Sequence, residues 1–352
     1  MGIFSKKSLG IDIGAASIKI VEVSVSGNKR KLENYVEFKL PPLEKSIKTF
    51  HGESLLLISD DVAQILQAIL KRAKIKQRKA VFSIPDFSSF FTTFSLPPMT
   101  ETEIPQAVEF EARHHIPIPL QEVTFDWQVV EKEQVASGVK LKVLLVAVPN
   151  TVLKNYQRMA DLSQLEIAGM EAEVFGLIRS SFPRGPLEHL PLCMVDIGWQ
   201  STTVSIVEKK KLKQSFSFDL SGTGLTDDLA SALQVEPEKA EDLKKRFGLD
   251  PQREDVSKVL TARIESLALE IDKICKNFFQ SEGKRVDNII LSGGTSFLFG
   301  LREYLSTRIK KKIFKADPFS SLSFPSVLNN RLKELGPSFP VAVGAAMMGA
   351  EN

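Results

Sequence analysis

Two cysteines in 352 residues are too few for a disulfide framework. Cys193 and Cys275 lie far apart in the sequence, without metal spacing, and read as buried free thiols. Histidine is as scarce, at four. His114 and His115 are neighbours that point to different faces of a helix, with no partner at ligand spacing, so no metal centre is expected there. No apolar run approaches the roughly 18 residues of a membrane span. The start, MGIFSKKS, has two lysines but no apolar stretch behind it, and a cytosolic chain is expected. The formal net charge is only +3. Without a dense basic face, nucleic acid is excluded as a partner. A Rossmann glycine fingerprint and a Walker lysine motif are also missing.

What is present is an ordinary globular composition, 43% hydrophobic and 25% charged. The length suggests two domains, enough to bury roughly three quarters of the unfolded surface. The stretch SLGIDIGAASIKIVEV (8–23) carries β-branched residues on both flanks, which read as strands, with Gly14, Ala15, Ala16 and Ser17 as the turn. A turn of small residues leaves backbone N–H groups uncovered and admits a phosphate.

The same pattern returns half a chain later. Laying IDIGAASIKIVEV over VDIGWQSTTVSIV puts Asp12 on Asp196, Gly14 on Gly198 and Ser17 on Ser201. Each hairpin runs on into a polar turn and a third strand, LENYVEFKL or LKQSFSFDL. The runs VLLVAVPNTVLKNYQRMA and NIILSGGTSFLFGLREYL match as strand, break and helix. EVFGLIRS and VAVGAAMMGA then match as helices containing glycine. Two similar α/β halves are expected to face each other across a cleft.

The chemistry suits a nucleoside triphosphate with magnesium, which takes a carboxylate or two and keeps most of its waters. Asp12 and Asp196 would hold those waters. The amides of residues 14–17 and 198–202, with the hydroxyls of Ser17, Ser201 and Thr202, would clasp the phosphates. Lys19 would reach a β or γ oxygen, or stand as a solvated strand lysine. Gly293 and Gly294 follow a strand and are expected to open a helix whose N–H groups face the cleft.

Residues 60–74 read as an amphipathic core helix behind an aspartate cap, with Val62, Ile65, Leu66, Ile69 and Leu70 on one face. Residues 81–149 break the repeat: a strand, a capping box of Thr100 with Glu103, a helix to about His115, a proline-rich connector and two strands form a βαββ insert. Its phenylalanines, Phe87, Phe90, Phe91 and Phe94, are either core or a partner groove. TDDLASAL and EPEKAEDLKKRFG read as two helices, the second with Pro237 near its start and Gly248 as its stop. Residues 255–280 form one long helix packed on the second half, or a short coiled coil.

In order, DIGAASIK, DIGWQSTTVSIV, SGTGLTDDLA, EKAEDLKKRFG and LSGGTSFLFGLREYL resemble the actin-like ATPase superfamily of actin, heat-shock chaperones and FtsA. The insert, FSLPPMTETEIPQAVEFEARHHIPIPLQEVTFDWQVV, resembles the PilM family of cytoplasmic type IV pilus assembly proteins, and the likeness covers essentially the whole chain. It implies an α/β actin-like ATPase fold of two duplicated ribonuclease-H-like lobes with an FtsA-type IC insert. The first lobe would take residues 1–83 and 149–190, around an insert of 84–148. The second would take 191–221 and 285–318, around a helical subdomain of 222–284, with 319–352 returning to the first lobe.

The likeness implies an ATP and magnesium site lined by Asp12, Gly14, Ala15, Ala16, Ser17, Lys19, Asp196, Gly198, Gln200, Ser201, Thr202, Gly222, Glu241, Lys244, Gly293 and Gly294. Asp12 and Asp196 would be its metal side, through water. It also implies that a groove between first lobe and insert receives the extended cytoplasmic N-terminal segment of the inner-membrane protein PilN. That would recruit the protein to the inner face of the inner membrane. Other pilus alignment proteins, the motor ATPase and further copies of the chain are the remaining implied partners.

Trp199 and Gln200 depart from the pattern, standing where small residues are usual. No residue declares itself a catalytic base, so hydrolysis is not assigned. The alternatives are an FtsA-like membrane-associated polymer, whose amphipathic tail is not seen in VAVGAAMMGAEN, and a small-molecule kinase, whose substrate pocket the apolar insert would occupy.

Overall fold

A computed structural model describes residues 5–40, 60–136, 138–183 and 185–351. The first sheet grows from the opening stretch. β1 (Lys6–Ile13) and β2 (Ser17–Ser26) pair antiparallel, with Asp12 opposite Lys19 and Ile13 opposite Ile18. β3 (Lys29–Lys39) continues the meander. On the other side of β1 come β4 (Lys79–Ile84) and, after a three-strand interruption, β8 (Glu166–Ala172), both parallel to it. The order is β3-β2-β1-β4-β8.

Both faces of this sheet are covered, which explains why its strands are apolar on alternate and intervening positions alike. Ile18 and Ile20 pack with α1 (Asp60–Arg72) and α3 (Asn150–Leu162). Val21 and Val23 pack instead with α10 (Pro340–Glu351). α10 also crosses α4 (Glu173–Ser181) at Gly344 against Gly176, where a side chain on either would run into the other's backbone.

The interruption is a separate antiparallel sheet of order β5-β7-β6. It consists of β5 (Phe90–Leu96), α2 (Ile104–His115), β6 (Val123–Val135) and β7 (Gly138–Pro149). The N–H and hydroxyl of Thr100 donate to the Glu103 carboxylate at 2.8 and 2.7 Å, just ahead of α2. The four phenylalanines do not share one face. Phe90 and Phe94 join the insert's own core, Phe91 packs on Phe175 of α4, and Phe87 lines the central cleft. Lys213 to Glu131 at 2.7 Å, and Lys142 to Glu282, tie the insert to the second half.

The second half repeats the first sheet. β9 (Leu192–Ile197), β10 (Thr202–Glu208), β11 (Lys211–Phe218), β12 (Asn288–Ser292) and β13 (Lys312–Lys315) take the order β11-β10-β9-β12-β13. Between β11 and β12 run α5 (Gly222–Leu233), α6 (Pro237–Phe247) and α7 (Glu254–Glu282). After β12 come α8 (Leu301–Ile309) and α9 (Asn329–Leu335). α7 buries Leu260, Ile264, Leu267, Ile271, Ile274 and Phe278 in one core with β9 and β12. At about 1.5–3 kcal/mol for each large apolar side chain buried, that stripe accounts for its length without a second helix.

Two expectations are corrected. The strand matching β12 is β4, not the VLLVAV run, which belongs to β7 of the insert. The periodicity of two short apolar strands is alike, and only hydrogen bonding separates them. Gly293 and Gly294 do not open a helix: a 3-10 turn spans Gly294–Phe297, and α8 begins at Leu301. Cys193 and Cys275, remote in sequence, are buried free thiols as expected, and both belong to the second core.

Candidate functional site

β1 and β9 each carry an aspartate one residue before their last, and each aspartate has the same neighbour from the parallel strand beside it. Ser83 of β4 donates to Ile11 O and Asp12 Oδ1, both at 3.3 Å. Ser292 of β12 donates to Val195 O at 3.4 Å and Asp196 Oδ1 at 2.7 Å. The loops that follow are closed by one repeated bond, Gly14 N to Ser17 O at 3.0 Å and Gly198 N to Ser201 O at 2.9 Å.

The two loops form opposite walls of one cavity of about 650 Å³, open to solvent. Gly14, Ala15, Asp196, Gly198, Gln200 and Ser201 line it, with Trp199. Asp12 and Lys19 stand behind the first wall, Lys19 Nζ 3.3 Å from Asp12 Oδ2. Burial pulls the Lys19 ammonium down, but Asp12, Glu37 and Asp196 together carry it above the usual lysine value. Burial, reinforced by Asp12, raises Asp196 above the ordinary carboxylate value against the lowering pull of Ser292 and Lys19.

The remaining residues fall outside the cavity. The Thr202 hydroxyl, fully buried, donates to Leu220 O. Lys244 Nζ is held by Gly222 O and Thr226 Oγ1, both at 2.7 Å, and by Glu241 at 2.5 Å. Burial lowers this ammonium. Gly293 has φ +87° and lies where a side chain would strike the Ile197 backbone, so only glycine fits. Its N–H is taken by Pro337 O at 2.8 Å rather than offered to the cleft. Gly294 faces open space.

The structure adds residues that the sequence reading missed. Pro85, Phe87, Glu173 and Thr203 complete the cavity wall. Asp86 and Glu173 interlock: Val174 N donates to Asp86 Oδ1 at 3.1 Å, and Asp86 N to Glu173 Oε2 at 3.3 Å. The Thr203 hydroxyl, from the other half, pulls the Asp86 carboxyl down. Burial lifts Asp86 to about 7, with Asp196 adding to it, and lifts Glu173 well above the carboxylate range. Tyr156 lies buried close by, under the electrostatic influence of Glu173 and Asp12. A signal for the serines was available: laying AVFSIPD over IILSGGT aligns Ser83 with Ser292. His115 stacks on Phe94 with ring centres 5.2 Å apart, and His114 lies 3.1 Å from Phe110 O. Both belong to the insert, away from the cleft.

Two sheets of one strand order, each presenting an Asp-x-Gly loop to a shared cleft, define an actin-like ATPase fold. A family model described as type IV pilus assembly protein PilM matches residues 10–350, and the chain belongs to that family. Cell division protein FtsA of Rhizobium meliloti (strain 1021) is 29% identical over 59% of this chain and 50% of its own. The chain spans about half the length of the curated relatives it matches. Among solved structures, a PilM–PilN type IV pilus biogenesis complex matches with a TM-score of 0.82 at 23% identity, covering 98% of this chain and 99% of that one. Ethanolamine utilization protein EutJ of Carboxydothermus hydrogenoformans matches at 0.56 and 17%, covering 97% and 89%. No helix among the described residues is long and apolar enough to cross a membrane.

Proposed function

We propose that the chain is an ATP-binding adaptor of type IV pilus assembly, cytoplasmic and recruited to the inner face of the inner membrane through PilN. Asp12 and Asp196, one carboxylate from each half, would hold the water shell of magnesium, which suits an ion that takes one or two carboxylates and keeps several waters. Magnesium neutralises phosphate charge when bound. The loop amides and the Ser17 and Ser201 hydroxyls take phosphate oxygens, and Lys19 supplies a positive charge beside them. Gly222, Glu241, Lys244, Gly293 and Gly294 serve the nucleoside side. A groove between first lobe and insert receives the extended N-terminal segment of PilN.

The observation that carries this reading is the doubled Asp–Ser register, with Asp196 on one wall of the cavity and Asp12 behind the loop that forms the other. Membership in a family named for pilus assembly supports the adaptor role, and the similar solved structure is a complex with PilN. Asp86 and Glu173 are held up by burial, so at neutral pH neither stands fully ready to accept a proton. The cleft thus suits holding a nucleotide more than turning it over.

A ligand that binds only the folded chain at a hundredfold excess over its Kd stabilises it by about 2.7 kcal/mol. Mg-ATP is expected to raise the melting temperature of the wild-type protein and not that of an Asp12→Ala, Asp196→Ala double variant. Identical shifts in both would remove the nucleotide reading. A synthetic peptide of the PilN cytoplasmic N-terminus is expected to be retained by the immobilised chain. Its failure to bind with and without nucleotide would remove the adaptor reading.

A further inference from the structure

Trp199 stands where the two groups of expected site residues part. On one side is the cavity, lined by Gly14, Ala15, Asp196, Gln200 and Ser201. On the other are Gly222, Glu241 and Lys244, which do not line it but are bonded to one another. The indole lies over Lys244, with the ammonium 5.2 Å from the ring centre, a cation–π contact. The backbone behind it is latched as well. Gly222 N donates to Gly198 O at 3.0 Å and Thr223 N to Trp199 O at 2.9 Å. The Thr223 hydroxyl donates to the same Trp199 carbonyl at 2.5 Å.

Those two amides open α5, and a helix N-terminus is where a ligand's oxygens would be received. Here the loop's own carbonyls take them. The buried Lys244 ammonium, bonded to Glu241, Gly222 O and Thr226, is capped by the ring. A ligand entering between the two Asp-x-Gly loops therefore meets the polyphosphate half of the site open and the Gly222–Glu241–Lys244 part of the nucleoside half covered by one side chain.

We propose that Trp199 is a specificity-determining residue: it admits the magnesium-polyphosphate end of a ligand and bars ribose and base until the indole leaves Lys244. The inference rests on the nucleotide reading given above. It identifies what the large residue in this loop does, in contrast to the first loop, where Ala15 occupies the matching place and, among the described residues, a bond from outside the loop is that of Leu40 N to Ala16 O at 3.0 Å.

The test uses the full chain and two probes, Mg-pyrophosphate and Mg-ATP, titrated calorimetrically into wild type, Trp199→Ala and Trp199→Phe. Trp199→Ala is expected to improve ATP affinity relative to pyrophosphate by about tenfold, equivalent to 1.4 kcal/mol. Trp199→Phe, which keeps a ring over Lys244, should stay near wild type. A second arm keeps the native indole: in a Trp127→Phe background, Trp199 is the sole tryptophan. Its emission should shift with Mg-ATP and not with Mg-pyrophosphate. An unchanged ATP-to-pyrophosphate ratio, a ratio that falls on removing the ring, or an emission unmoved by bound ATP would each overturn the gate alone. Binding of neither probe to any variant would overturn the nucleotide reading and the gate with it.

Discussion

Asp12 and Asp196 occupy the same place in the two halves and keep the same serine, yet they face different neighbours. Opposite Asp12 on β2 is Lys19, and opposite Lys19 on β3 is Glu37. Opposite Asp196 on β10 is Thr203, and opposite Thr203 on β11 is Ser217, the two hydroxyls 3.1 Å apart. One row is charged and the other is made of hydroxyls. The duplicated body has therefore retained the geometry that aims each carboxylate at the cleft and has kept a counter-charge on one side only. Lys19 answers to both walls: Asp196 helps to raise it, and it helps to restrain Asp196. The hydroxyl row does something else: Thr203 pulls down the carboxyl of Asp86 at the root of the insert.

The largest effect should come from breaking the charged row. Lys19→Met leaves the Asp12 carboxylate buried without its cation, and removing one partner of a buried pair costs about 3–5 kcal/mol. Thr203→Val, at the matching place, loses a neutral hydroxyl and should cost about 1 kcal/mol. Lys19 is raised above its ordinary value of 10.5, so its contribution is complete below that pH and is lost only as pH rises through the folded value. Urea denaturation at neutral pH thus sees the whole difference. Equal losses for the two variants would mean that the rows are energetically alike despite their composition.

The next effect tests the bridge between the halves. Asp86 titrates at 3.8 in the ordinary case and about 7 when folded. Between those values the folded chain holds a proton that the unfolded chain has released, so stability is greatest at the acid end of the window and falls as pH rises through it. At 1.36 kcal/mol per pH unit, the loss is on the order of 4 kcal/mol. Asp86→Asn should flatten that part of the profile, read as the difference between wild type and variant from denaturation midpoints across the window. A profile that keeps its slope in the variant would assign the titration to other carboxyls.

Much of this contrast was legible before any coordinates. Asp12, Asp196 and the two glycine loops are local patterns, repeated in register, and a repeated local pattern survives translation into structure. Ser83 was hidden because VLLVAV and VFSI are both short apolar strands, and choosing between them requires knowing which one hydrogen-bonds to β1. Asp86 and Glu173 were hidden for a related reason. They lie 87 residues apart, and their interlock exists only once β4 and α4 are brought together by a sheet whose order the sequence does not spell out. Trp199 drew notice as an oddity of composition, while its partner Lys244 was placed in the ATP site by likeness alone. That one ring covers the other residue is a fact of tertiary packing.

The smallest effect asks whether the shared serine is equally important on both sides. Ser292 reaches Asp196 at 2.7 Å, within the usual range for a hydroxyl donating to a carboxylate, whereas Ser83 divides its proton between two acceptors at 3.3 Å. A hydrogen bond to a charged group contributes about 1.5–3 kcal/mol, and a long, divided one sits nearer the roughly 0.5–1.5 kcal/mol of a neutral bond. Ser292→Ala should therefore destabilise more than Ser83→Ala, with thermal melts of the two variants as the measure. The physical ground is that Asp12 has Lys19 to fall back on, and Asp196 has no lysine in its own row. If Ser83→Ala proved the costlier change, Lys19 would not be compensating Asp12, and the division of labour between a charged wall and a hydroxyl wall would have to be abandoned.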